Sequence, residues 1–189
     1  MIANASKVTV HMVASLDGYI EKKDGDVSWL EVADSYEKGI SDEDSEKMMS
    51  EDLSSIDCYV IGSRTYEATL QLGWPYGDMP VFVLTHRDLP CDKQSVSFYS
   101  GDLEKLVRDR LAPKYKNIWL VGGSVLVKDF LRLNLVDDIK ITLAPIIIGE
   151  GTPFFDLIGI EQPLHLKDVT AFKSGFVELW YELKKNGSS

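Results

Sequence analysis

The chain has 189 residues, 44% hydrophobic and 26% charged, with 20 basic against 30 acidic side chains and a formal net charge of −10. That length suits one well-packed core, and no Pro/Gly/Ser-rich linker divides it, so a single domain spanning 1–189 is expected. The acidic balance, without any basic stripe of interleaved aromatics, disfavours nucleic acid, and no apolar stretch approaches bilayer length, so membranes are disfavoured too. A small anionic cofactor stays compatible with this charge, because a few local cations and amides suffice to hold one.

The start, Met1 to Lys7, lacks the basic segment and long apolar core of a secretion signal, which makes a cytoplasmic location the expectation. Lys7 to Ala14 alternates as a strand, and Ser41 offers an N-cap for a helix over Asp42 to Leu53. Asp57 to Ile61 and Val81 to Thr85 are short apolar runs of buried-strand type. Cys58 and Cys91 are far apart and form no C-x-x-C pair, so neither a zinc site nor a disulfide framework is indicated. Ser100 or Gly101 is the expected cap of a helix over Asp102 to Leu111.

Asn117 to Leu133 reads NIWLVGGSVLVKDFLRL, a strand over Ile118 to Val121 that runs through Gly122-Gly123 into a helix. That helix is expected to carry Val125, Leu126, Phe130 and Leu131 or Leu133 on one side. Two glycines at such a junction let a ligand approach the backbone, and the free amides of the first helical turn then favour a phosphate. The plainer reading is a tight strand-to-helix turn of the kind any α/β protein contains. Alternation of strands and helices to this point predicts a mostly parallel sheet covered on both faces. Asp138 to Ala144, Leu164 to Phe172 and Phe176 to Lys184 are further strands, the last two joined by Lys173-Ser174-Gly175 into an antiparallel hairpin. The hairpin carries apolar and aromatic residues on both faces, more than one buried side requires, and this predicts a homodimer. Asn186 to Ser189 has the composition of a frayed end.

Several enzyme classes are missing their signatures. There is no Walker A loop, nucleophile elbow or His-Glu-x-x-His, and His11, His86 and His165 are not paired at ligand spacing, so no metal is expected. A zinc deaminase would need His-x-Glu followed by Pro-Cys-x-x-Cys, which does not occur.

What remains is a set of segments at strand ends, where open α/β sheets place ligands. They are Ser15 to Ile20, Gly62 to Glu67, Thr85 to Arg87, Gly122 to Ser124 and the later stretch Ala144 to Phe155, which includes Pro145. In this order the chain, from Lys7 to Leu183, resembles the dihydrofolate reductase-like superfamily, and within it the reductase domain of bifunctional riboflavin-biosynthesis proteins. The resemblance implies a three-layer α/β domain, a mixed and mostly parallel sheet with helices on both faces and a C-terminal antiparallel hairpin. It implies an NADPH-dependent reductase acting on a small-molecule heterocycle of pyrimidine or pteridine type, which bears a ribosyl phosphate in the riboflavin branch. It also implies pairing of subunits.

By that resemblance Val121, Gly122, Gly123, Ser124, Val125 and Leu126 would hold the pyrophosphate. Gly62, Ser63, Arg64 and Thr65, with Thr85, His86 and Arg87, would flank the adenosine end, where guanidinium suits a 2′-phosphate. Ser63 stands where relatives often carry Arg directly after the turn glycine, and Arg64 follows it. Ala14 and Ile20 would wall the nicotinamide. Asp17 could orient substrate or could cap its own loop, and Trp29 could roof a planar substrate or anchor the core. In dihydrofolate reductases a helix carboxylate precedes the turn glycine by sixteen residues; counting back from Gly62 gives Glu46, with Thr142 as its expected neighbour. Asp17 and Glu46 are therefore the candidate catalytic residues and Trp29, Thr142 and Pro145 the candidate substrate contacts, with solvent or the substrate phosphate as the competing proton source. A non-catalytic protein that keeps only the nucleotide cleft is the alternative function.

Overall fold

The computed structural model describes residues 6–184, so the expected frayed end, Asn186 to Ser189, lies outside the described residues. Eight strands form one sheet in the order β5-β4-β3-β6-β1-β7-β10-β9. They are β1 (Lys7–Ser15), β3 (Cys58–Gly62), β4 (Val81–Leu84), β5 (Val96–Tyr99), β6 (Asn117–Gly122), β7 (Asp138–Ala144), β9 (Leu164–Ala171) and β10 (Val177–Leu183). β2 (Tyr19–Glu21) and β8 (Thr152–Pro153) form a separate two-stranded pair. From β5 to β7 every pairing is parallel; β10 runs antiparallel to both β7 and β9. The mixed sheet and the closing hairpin are as the strand patterns predict.

Side-chain alternation divides the sheet into two unlike faces. Val8 and Val10 of β1, Ile118 and Leu120 of β6, and Cys58 and Val60 of β3 point to one side. There they meet α3 (Leu103–Lys105) with the wider π-type turns that continue it (Leu106–Leu111), and α4 (Ser124–Arg132). Leu106, Leu111, Val127, Phe130 and Leu131 are the buried helical residues of this core. The apolar stripe of α4 is shifted from the expected one: Val127 replaces Val125, which is exposed along with Leu133. On the opposite face, Tyr59, Ile61, Val81 and Val83 pack against Tyr66 of α2 (Ser63–Leu72) and Tyr76. α1 (Asp42–Ser55) lies over the rest of that face and buries none of its residues.

Local chemistry accounts for the helix starts. Ser41 caps α1 as its position implies, its hydroxyl accepting from the Asp44 amide at 3.1 Å. The α3 cap is Asp102 rather than Ser100 or Gly101, because its carboxylate reaches the Lys105 amide at 2.9 Å. Several elements had no sequence expectation, among them β5 and α2. β5 is an edge strand of four residues, easily passed over for its length, and α2 follows β3 without a loop to mark its start. Among the described residues no helix is long and apolar enough to cross a membrane.

The part of the sheet that faces α1 is charged. At the start of β7, Asp138 is 1% exposed and takes Lys7 at 2.8 Å, Lys167 at 3.1 Å and the Trp180 indole at 2.8 Å, all on Oδ2. Burial pushes its carboxyl up, but the hydrogen bonds from Lys7, Trp180 and Lys167 outweigh this and hold it below its ordinary value. Glu178 on β10 behaves alike: burial raises it, while His11, Lys140 and Thr142 bring it lower overall. Carboxylates depressed in the folded state stabilise the fold above their unfolded pKa and lose that contribution as pH falls through the folded one. Stability should therefore hold near neutrality and decline below about pH 4. Urea midpoints measured from pH 7 to 2.5 test this, and Asp138→Asn should flatten the acid limb.

Candidate functional site

β3 ends at Gly62 and β6 at Gly122, and the two ends lie close together: a Cβ built on Gly62 would stand 3.6 Å from the Gly122 carbonyl oxygen. Each strand passes almost directly into a helix. Gly62 is the N-cap of α2 and Gly123 that of α4, and neither helix has a side chain capping its first turn. The orphan amides and the positive dipole ends of two helices thus open on the same space. Thr65, in the first turn of α2, donates from its hydroxyl to the Gly122 carbonyl at 3.3 Å and ties the two junctions together.

Gly122 needs its lack of a side chain. Its φ is +112° and an added Cβ would stand 2.9 Å from Met12 Sδ. The Gly122–Gly123 peptide is cis. Gly123 faces open space, with nothing within 4 Å of where its Cβ would be.

That space is a cleft of about 590 Å³ along the C-terminal ends of the parallel strands. Ile20, Gly62, Ser63, Arg64, Thr65, Thr85, His86, Gly123, Ser124, Val125 and Leu126 line it, which gathers most of the sequence-derived cofactor residues in one place. It also includes residues that sequence reading missed, above all Tyr99, Ser100 and Gly101 after β5, and Glu21 and Thr152 of the small β2–β8 pair. The signal for the first group was present in the alternation of Val96 to Tyr99 followed by Ser-Gly punctuation. Thr152 donates to Glu21 Oε1 at 2.7 Å and closes that end.

Several candidates fall outside the cleft. Ala14 is fully buried, because strand alternation puts it on the same face as Val8 and Val10, inside the core. Val121 is half-buried against the Tyr59 cluster, and Gly122 sits behind the lining. Arg87 is forked onto Glu67, at 3.1 Å and 2.7 Å, and does not line the cleft. The same fork holds the Glu67 carboxyl below its ordinary range. Arg64, by contrast, is exposed on the cleft wall and makes no ion pair among the described residues.

The substrate-side candidates do not converge. Asp17 accepts from Ser15 Oγ at 2.6 Å, from the Ile148 amide at 3.1 Å and from the Gly149 amide at 2.7 Å. The Ser15 hydroxyl and these amides hold its carboxyl below the usual value. It joins the β1–β2 turn to the β7–β8 loop, a structural role that reaches beyond the expected capping of its own loop. Trp29 is buried in a short 3₁₀ turn (Ser28–Glu31) away from the cleft, and its indole N–H finds no acceptor among the described residues. Pro145 is exposed just past β7.

Glu46 is exposed on α1, and the carboxylate beside Thr142 is Glu178, whose Oε2 receives the Thr142 hydroxyl at 3.3 Å and lies 3.1 Å from His11 Nε2. A residue count along α1 could not find it, since Glu178 reaches Thr142 by cross-strand pairing of β10 with β7. Among the described residues no group of His, Cys, Asp and Glu is arranged to hold a metal ion.

Comparison with known proteins fits this geometry. Residues 6–177 match the model of the RibD C-terminal domain. The protein YwjB of Bacillus subtilis (strain 168) is 30% identical over 177 residues, spanning 93% of this chain and 97% of that protein. A candidate riboflavin biosynthesis protein from Shewanella sp. PV-4 superposes with a TM-score of 0.79 at 24% identity, over 95% of this chain and 99% of that one. A pyrimidine reductase-like protein from Corynebacterium diphtheriae gives 0.66 at 16% identity, over 96% and 93%. These two structures carry the same fold.

Proposed function

The chain belongs to the RibD C-terminal domain family, and from that premise we propose that it is an NADPH-dependent reductase of a small pyrimidine- or pteridine-like substrate. Family membership supports a reductase-like function of the riboflavin-pathway kind. The observation that carries the finer reading is the pair of uncapped helix N-termini, at Gly62 and Gly123, facing one elongated cleft. A dinucleotide has the anionic centre and the length that such a cleft fits.

In this reading Gly123 to Leu126 hold the pyrophosphate through the first-turn amides of α4, and the open space at Gly123 is room for it. Gly62 to Thr65, Thr85, His86 and the Tyr99 to Gly101 turn enclose the adenosine end. Arg64 is the free guanidinium there and takes the 2′-phosphate, while Arg87 stays with Glu67. Ile20 and Thr152 wall the far end. When bound, NADPH supplies the hydride. The protein's part is to bind, to orient and to exclude water, and with Asp17 committed to loop amides and Glu46 exposed, solvent is the proton source.

A cytoplasmic location and a homodimer belong to the same proposal. The outer strand β9 exposes Leu164, Leu166 and Val169, and the half-buried Leu179 and Tyr181 of β10 stand directly behind the last two. That is an apolar surface of the sort a second subunit covers. Light scattering at micromolar concentration should give twice the chain mass.

Gly123→Val should fold normally, because its side chain enters open space, yet lose NADPH binding by calorimetry. Retained binding would move the pyrophosphate elsewhere. Arg64→Ala should weaken NADPH by about 1.5–3 kcal/mol and leave NADH nearly unchanged, as expected for one lost charge-assisted bond. Arg87→Ala, as control, should alter neither. NADPH oxidation at 340 nm with pyrimidine and pteridine substrates separates the enzyme from a protein that only binds nucleotide.

A further inference from the structure

At the opposite end of the strands, between α1 and the charged sheet face, lies a second cavity of about 270 Å³ that shares no lining residue with the cleft. Its walls include Trp119 and Trp180, and its polar groups include Lys7, Lys140, Lys167 and His11. This gathers three of the 20 basic side chains of an acidic protein in one hollow.

The charges are layered. The carboxylates that balance the lysines sit behind them: Asp138 under Lys7 and Lys167, with its side chain 1% exposed, and Glu178 under Lys140 and His11, with 9%. Lys7 and Lys167 therefore stand forward of Asp138, and Lys140 lies at nearly the depth of Glu178. Lys140 and Lys167 also lie 4.6 Å and 3.9 Å from the centre of the Trp180 ring. From the solvent side Asp52 of α1, 39% exposed, comes within 2.5 Å of Lys140 Nζ. It is carried by a helix that buries no residue, and of the pair it is Asp52 that reaches solvent while Lys140 stays largely buried, so the carboxylate is the partner that a ligand's anion can displace.

We propose that this cavity binds a small planar acid, one ring bearing a carboxylate or phosphate, and that the Asp52 carboxylate stands in for the ligand's anionic group when the site is free. The anion replaces Asp52 on Lys140, and the ring lies along the tryptophan wall. The volume is just below the roughly 300 Å³ lower end of small-molecule sites, which limits the ligand to about a single ring. The site is independent of the nucleotide cleft.

Titration of the ¹⁵N-labelled protein with benzoate, phenyl phosphate, benzamide and inorganic phosphate tests it, with the indole N–H signals of Trp119 and Trp180 as reporters. Benzoate or phenyl phosphate should shift both signals saturably, and which of them binds tighter identifies the acid. Neutral benzamide should not bind, and inorganic phosphate should bind more weakly than phenyl phosphate. Asp52→Asn should tighten binding by at least about threefold and Lys140→Met should weaken it by about tenfold, with NADPH affinity unchanged in both. Absence of a saturable shift below about 10 mM, equal binding of benzamide, or unchanged affinity in Asp52→Asn would overturn the proposal. Should Lys140→Met not fold, the Asp52→Asn comparison decides alone, since it leaves every lysine in place.

Discussion

Everything about the cleft depends on two strands, adjacent in the sheet, that turn into helices with almost no connecting chain. β3 and β6 are neighbours, so Gly62 and Gly122 end side by side, and α2 and α4 begin side by side. A side chain at Gly122 would strike Met12, whereas a Cβ at Gly62 would make only ordinary contact with the Gly122 carbonyl. Glycine at position 122, with its φ of +112°, is the condition for two helix N-termini to share one opening. Parallel pairing from β5 to β7 then brings the remaining strand ends, with Thr85 and Tyr99, to the same rim.

The two faces of the sheet divide the work. One is a conventional apolar layer in which α4 and the turns after α3 bury Leu106, Leu111 and Phe130 completely. The other is apolar only under α2. Toward β7 and β10 it becomes a field of paired charges, with His11 stacked on Trp119 at 4.9 Å and the Trp119 indole bonded to the His11 carbonyl at 2.9 Å. Apolar side chains would fill that region at lower desolvation cost, so the charged face is maintained against the general trend of sheet interiors.

The sequence makes the sheet, the hairpin and the cleft legible because each rests on local signals: alternation, a serine cap, glycines at strand ends. Most of the cofactor-side candidates meet in one cavity for that reason. Errors arise where a role depends on which way a side chain points or on what pairs across strands. Ala14 looked like a wall residue, but alternation from Val8 and Val10 turns it into the core. Arg87 reads as a free cation until Glu67, one helical turn past Ser63, is seen to face it. Glu46 fits a count along the chain, whereas Glu178 reaches Thr142 only because β10 returns antiparallel to β7. No spacing rule encodes that return.

Asp17 joins the turn after β1 to the loop after β7 through two backbone amides, and Leu16 adds a third bond by donating its amide to the Ile146 carbonyl at 2.8 Å. Those two segments consequently behave as one stiff margin rather than as independent flaps. The cleft begins just beyond this margin, at Ile20, Glu21 and Thr152, so its wall there is anchored through both connections at once.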